Sequence, residues 1–182
     1  SEGCHPKILQ TLTETNEEQT VGYGCDKYCA EAADLILKEL DAPQSKVYFF
    51  SGGTQTNLTM IASILRPHQG VIAADTGHIN VHESGAIEAC GHKVLTIESA
   101  NGKITAEQAE ALIRAHYDDP TAEHMVQPGM IYISNPTELG TIYSKKELQA
   151  LKLTAQKYSK QQSGHYLRGK HALPVLCAQL PV

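Results

Sequence analysis

Three segments of the chain join residue types that can do chemistry to a local context that would present them. The first is Ser51-Gly52-Gly53-Thr54-Gln55-Thr56-Asn57. Glycines let a backbone come close to an anion, and a helix starting there offers unpaired N–H groups and a partial positive charge. A phosphate fits such a cup, with Thr54 and Thr56 as added hydroxyl donors. The run is neither a Walker loop, which needs Gly-Lys-Ser/Thr, nor a GxGxxG dinucleotide turn, and a tight turn before a capped helix is the alternative. The second segment, Asp75-Thr76-Gly77-His78-Ile79-Asn80-Val81-His82-Glu83, holds two histidines and two carboxylates. Either His78 and His82, four apart on a helix, ligate a metal, or the His78 ring stacks on a planar cofactor while Glu83 assists proton transfer. HxxxHE is not HExxH and no third ligand is placed by motif, so no metal is expected. The third segment, Ile133-Ser134-Asn135-Pro136-Thr137-Glu138-Leu139-Gly140, either points Asn135 into the same cleft or is an ordinary Asn-Pro turn. Gly22-Tyr23-Gly24-Cys25-Asp26 is a loop that either presents Tyr23 or caps the helix after it.

The elements that must position these residues follow from hydrophobic spacing. Lys27 to Leu40 reads as a helix stopped by Asp41-Ala42-Pro43, and Val47 to Phe50 as a strand. Asn57 to Leu65 is helical, Val71 to Ala74 a buried strand, Asn80 to Cys90 a helix, and Lys93 to Ile97 a strand. Thr105 to His116 opens with a capping pattern, Met130 to Ser134 is a strand, and Ser144 to Tyr158 is a helix capped by the same logic. Strands alternating with helices predict an α/β fold with flanking helices on a mainly parallel sheet, whose site lies at the C-terminal strand ends.

With 182 residues, 41% of them hydrophobic, the chain can bury one substantial core. A net charge of −5 without basic clusters argues against nucleic acid or an anionic membrane as partner, and a small ligand fits better. The cysteines at 4, 25, 29, 90 and 177 have neither an even count nor zinc-ribbon spacing, so a reducing cytoplasm is the expected compartment. The start at Ser1 has no initiator Met, and residues upstream of it are expected. All 20 acidic residues precede Ser159, and Pro174 and Pro181 interrupt the apolar stretch Ala172 to Val182. The chain therefore divides into residues 1–158 and a divergent tail, 159–182, with a surface-packed basic segment as the alternative.

Taken in order, the Tyr23-Gly24-x-Asp26 loop, the Gly52 to Asn57 cup and the run from Ala74-Asp75 through His78 to Glu83-Ser84-Gly85-Ala86 resemble the threonine aldolase and β-eliminating lyase family. The resemblance runs from the first residues to about Tyr158. It implies the fold type I, three-layer architecture of pyridoxal-phosphate enzymes, here only the amino-terminal part of the major domain. By this resemblance Gly52, Gly53 and Thr54 hold the cofactor phosphate and His78 stacks on the pyridine ring. Glu83 and Asn135 are its further site residues, and Thr137 stands where many aldolases carry a second histidine.

The family then continues with an apolar strand closed by Asp-Gly-Ala-Arg, where this chain has Ser159-Lys160-Gln161-Gln162. That Asp pairs with the pyridinium nitrogen, the Arg holds the substrate carboxylate, and a later Lys carries the cofactor. None has a counterpart, because neither Lys160 nor Lys170 follows a family-like Ser/Thr-rich stretch. The resemblance implies a lyase acting on a small β-hydroxy amino acid, threonine to glycine and acetaldehyde, and homo-oligomeric in its full-length form. This chain is expected to be inactive alone, without covalent cofactor. An aromatic amino acid β-eliminating lyase or a non-catalytic, degenerate fragment are the other readings.

Overall fold

The computed structural model describes residues 3–162 and 175–178. It separates into two units, residues 1–50 and 51–182. In the first unit, helix α1 (Pro6–Thr15) starts with proline at a position where its missing N–H costs nothing, and the His5 ring nitrogen accepts from Lys7 N at 3.2 Å. Helix α2 (Lys27–Glu39) starts at Asp26, whose carboxylate accepts from Cys29 N at 2.9 Å. Neither helix buries a residue. The expected strand at Val47–Phe50 does not form. Its β-branched and aromatic residues have the propensity but no ladder partner among the described residues, and strand propensity is mostly packing against neighbours.

In the second unit, helix α3 (Gly53–Ile64) leads to strand β1 (Gln69–Ala74), then short helices α4 (His78–Val81) and α5 (Ala86–Ala89). Strand β2 (Val94–Ile97), helix α6 (Ala106–Asp118) and strand β3 (Gln127–Ser134) follow. Helix α7 (Lys145–Gln162) and strand β4 (Val175–Ala178) complete the unit. The strands form one parallel sheet in the order β2-β1-β3-β4.

Strand alternation sends Val71, Ala73, Met130 and Tyr132 to one face, where they pack on Ile61 and Leu65 near α3 and on Ile79 and Ile87. Ile72, Ala74, Ile131 and Ile133 point the other way, onto Ala109 and Ile113 of α6 and Leu151 and Ala155 of α7. The architecture is thus three-layered, helices over both faces of a parallel sheet. Both long helices have the capping predicted for them. Thr105 Oγ1 accepts from Gln108 N while Gln108 Oε1 accepts from Thr105 N, at 3.2 and 2.9 Å. Ser144 and Glu147 make the same reciprocal pair at 3.3 and 2.6 Å.

One further expectation is corrected. The helix expected from Asn80 to Cys90 breaks into α4 and α5, because Ser84 (φ 52°) and Gly85 (φ 72°) are both left-handed and no helix passes through such a pair. Helix α7 runs on to Gln162, and the stretch between Pro174 and Pro181 supplies β4, with Ala178 beside Ser134. Lys170 lies outside the described residues.

Candidate functional site

The site is located by topology. From β1 the chain crosses to β2 over the α4/α5 face, and from β2 it returns past β1 to β3 by α6 on the other face. The connections therefore diverge between β1 and β3, and in an open parallel sheet the carboxyl ends of two such strands are where a ligand is expected. Helix α3 packs on the sheet and joins the start of β1 by a short link, so it runs antiparallel to the strands. Its N-terminus, with Gly52 as the cap residue, lies at the same end as those carboxyl ends.

Local backbone geometry aims the side chains. Gly77 N donates to Ala74 O at 2.9 Å, and a Cβ on Gly77 would stand 2.9 Å from that oxygen, so only glycine makes this turn from β1 into α4. His78 is the first residue of α4. The left-handed pair at Ser84 and Gly85 turns the chain back and leaves Glu83 beneath the imidazole. His78 Nδ1 lies 2.7 Å from Glu83 Oε1. The same oxygen accepts from Asn57 Nδ2 at 2.6 Å, and two donors on one oxygen suit a carboxylate. Asn57 and Glu83 are buried, while the His78 side chain keeps 27% exposure. Asn57 lies one turn beyond Gly53 on α3, so the cup and the imidazole are tied to one carboxylate.

From Asn57 the polar contacts continue inward. Asn57 Nδ2 is 3.4 Å from the Tyr132 hydroxyl, which is 3.3 Å from Ser134 Oγ, and Ser134 donates to Glu138 Oε1 at 2.6 Å. Burial pushes the Tyr132 phenol up to about 12; the contact with Ser134 opposes that and the nearby Glu83 adds to it. Glu83 Oε2, Glu138 Oε2 and Thr76 Oγ1 are buried without a partner among the described residues. Unpartnered buried acceptors are uncommon in folded proteins and mark a place where something else binds or strain is held.

The cup itself has an open end. The N-terminus of α3 has no side-chain cap and no acidic residue in its first turn. Ser51 N and Oγ both reach Gln55 Oε1, at 3.1 and 2.7 Å, and Thr56 Oγ1 donates to Gly52 O at 3.0 Å. Of the two threonines proposed as donors, Thr56 is thus bonded within the helix. The glycines separate in the same way. In residues 51–182 each described glycine other than Gly52 and Gly53 either has a left-handed φ or would drive a Cβ within 3 Å of a neighbour. Gly52 and Gly53 meet nothing within 4 Å, and Gly52 (φ −172°) is ordinary extended backbone. No contact among the described residues asks for glycine at these two positions.

Asn135 stands apart from this group. Its Oδ1 accepts from Tyr143 N at 3.0 Å and braces the loop before α7. Thr137 is buried with its hydroxyl 2.7 Å from Thr141 Oγ1. His82 lies beside His78 with ring centroids 5.5 Å apart, and among the described residues no group of three or more His, Cys, Asp or Glu is placed to hold a metal. Asp75 serves the backbone, its Oδ1 accepting from Thr76 N and Ser99 N at 3.0 Å each. In the first unit Asp26 caps α2 and Tyr23 is fully exposed. Sequence reasoning missed Tyr132, Ser134 and Glu138 as a group. The available signal was a tyrosine in the aliphatic strand Met130-Ile131-Tyr132-Ile133, since a buried phenol needs a polar partner.

Comparison with known proteins bears on the fold and the family. A solved structure of Leishmania major threonine aldolase superposes with a TM-score of 0.82 at 46% identity, covering 87% of this chain and 45% of that one. The low specificity L-threonine aldolase of Pseudomonas sp. (strain NCIMB 10558) is 29% identical over 156 residues, 85% of this chain and 44% of its own length. That of Pseudomonas aeruginosa is 28% identical over the same coverage. This chain thus spans less than half the length of the relatives it matches. Residues 8–161 match the β-eliminating lyase family, and to that family the chain belongs.

Proposed function

We propose that this chain is the phosphate- and ring-binding part of a pyridoxal-phosphate lyase that cleaves a β-hydroxy amino acid, threonine to glycine and acetaldehyde, and that alone it does not turn over. One observation carries the reading. Gly52 and Gly53, which nothing among the described residues requires, stand about one helical turn before Asn57, whose amide holds Glu83, the carboxylate that meets His78.

The residues present fit this cofactor. The uncapped N–H groups of α3 and the Thr54 hydroxyl suit a phosphate, and the half-buried imidazole suits an aromatic ring. When bound, pyridoxal phosphate supplies an electron sink for the substrate carbon that bears the amino group. The chain's own residues bind and orient. Glu83 Oε1, 2.7 Å from His78 Nδ1, fixes the ring plane and turns Nε2 away from the carboxylate. Asn135 is a weaker contributor, its carbonyl already engaged with the backbone of Tyr143. The substrate class rests on the relatives, each a threonine aldolase by name. Thr137, bonded to Thr141, departs from the second histidine of many aldolases and weakens the aldol specificity, and an aromatic amino acid β-eliminating lyase is the second reading. The full-length protein is taken to be a cytoplasmic homo-oligomer. Among the described residues no helix is long and apolar enough to cross a membrane.

The test is a titration of the purified chain with pyridoxal phosphate, followed by absorbance and equilibrium dialysis, with borohydride reduction afterwards. Saturable binding that inorganic phosphate competes away, no reducible lysine adduct and no glycine from threonine are expected. Absence of saturable binding, or stoichiometric zinc lost on His78→Ala, would overturn the reading.

A further inference from the structure

One imidazole beside the site has no part in the contacts described above. His82 closes α4, its backbone N–H donating to His78 O at 2.9 Å, so its side chain stands one helical turn from that of His78. The ring centroids are 5.5 Å apart and the planes meet at 54°, so the rings adjoin without stacking. His82 is exposed, and neither of its ring nitrogens has a hydrogen-bond partner among the described residues. A neutral imidazole carries one N–H and one lone pair, so this ring has a donor and an acceptor to give to a ligand next to His78.

The neighbouring polar groups are committed elsewhere. Thr141 Oγ1 gives its hydrogen to Asn101 O at 2.7 Å, so between the two threonines it is Thr137 that donates, and the Thr137 oxygen accepts from Thr141 N at 3.2 Å. The hydroxyl at 137 is thus spent as well as buried. The Glu83 side chain is fully buried, and Tyr132 is buried with its phenol held protonated. Glu138 Oε1 takes the Ser134 hydrogen while its Oε2 is buried, and Asn135 Oδ1 is taken by Tyr143 N. We propose that His82 is the specificity-determining residue for the β-hydroxyl of the substrate, a ring nitrogen accepting the hydroxyl hydrogen, and that it stands in for the second histidine absent at 137. The assignment rests on the lyase function proposed above: a ligand lying on the His78 ring has His82 at its margin.

The experiment measures what the hydroxyl is worth in binding, without turnover. Phosphopyridoxyl-threonine, the stable secondary amine made by borohydride reduction of pyridoxal phosphate with threonine, is titrated into the whole chain by calorimetry. The compound made in the same way from 2-aminobutyrate, which lacks only the hydroxyl, is titrated beside it. The unmodified chain should bind the threonine compound about three- to tenfold more tightly, the net worth of one hydrogen bond. His82→Phe keeps a flat ring without the nitrogens at an exposed position, and in that variant the two compounds should bind alike, with affinity for the 2-aminobutyrate compound unchanged. Equal affinities in the unmodified chain, or a preference for the hydroxyl that survives in His82→Phe, would overturn the assignment and leave the proposed function standing. Failure of both compounds to bind would overturn the proposed function, and this assignment with it.

Discussion

The bond between Asn57 and Glu83 should be one of the stronger polar couplings in the molecule, and a double-mutant cycle measures it. Both residues are buried, their contact is 2.6 Å, and Glu83 Oε2 has no donor among the described residues that could compensate for a loss at Oε1. Asn57→Leu keeps roughly the side-chain volume and leaves the carboxylate with His78 alone, a cost of about 1.5–3 kcal/mol for a hydrogen bond to a charged group. Glu83→Met removes the carboxylate but strands the Asn57 amide and the His78 Nδ1–H, costing about 1–3 kcal/mol. The double variant leaves neither an unpaired carboxylate nor an amide facing one. Its loss should fall short of the sum of the single losses by about 1.5 kcal/mol or more, against the 0.3–0.5 kcal/mol scatter of independent sites. Urea unfolding followed by far-ultraviolet circular dichroism gives all four values. Single losses that add to within about 0.5 kcal/mol would show that Asn57 and Glu83 do not share a hydrogen bond, and the site as described would fail with it.

Gly53→Ala separates folding from binding. Open space around its Cβ and a helical position mean that the fold should gain up to about 1 kcal/mol, while pyridoxal phosphate affinity falls; a dialysis constant equal to that of the unmodified chain would refute the cup. Acid should act through Glu147, whose carboxyl is lowered from 4.5 to about 2 by the Lys103 ammonium and by bonds from Ser144. A carboxyl lowered in the folded state adds stability above about pH 4.5, and that addition is lost as pH falls toward 2. The urea midpoint should therefore drop across this window in the unmodified chain and drop less in Glu147→Gln.

The parts of the fold that were legible in the sequence are those whose cause is local. Thr105 with Gln108 and Ser144 with Glu147 announce α6 and α7, because each cap is complete within four residues. Strands β1 and β3 are legible as short β-branched runs between turns. Val47 to Phe50 has the same signature and forms no strand, since the deciding quantity is a ladder partner that no local window contains. Ser84 misled in a different way, because a serine gives no sign that its φ will be positive.

The site divides along the same line, and the division follows from how each residue is held. His78 and Glu83 are five apart, and the cup spans consecutive residues, so a pattern of types and spacing finds both. Asn57 reaches Glu83 across 26 positions and Tyr132 across 75, and those distances close only when the sheet assembles. What brings them together is one topological fact, the reversal of strand order between β1 and β3 with α3 running antiparallel beside them. That reversal brings the imidazole after β1 and the start of α3, which has no side-chain cap, to the same end of the sheet. It also sets β3, with Tyr132 and Ser134, against the same point from beneath. A chain keeping His78, Glu83 and the two glycines but losing this strand order would retain the recognisable motif without bringing Asn57 and Tyr132 to it.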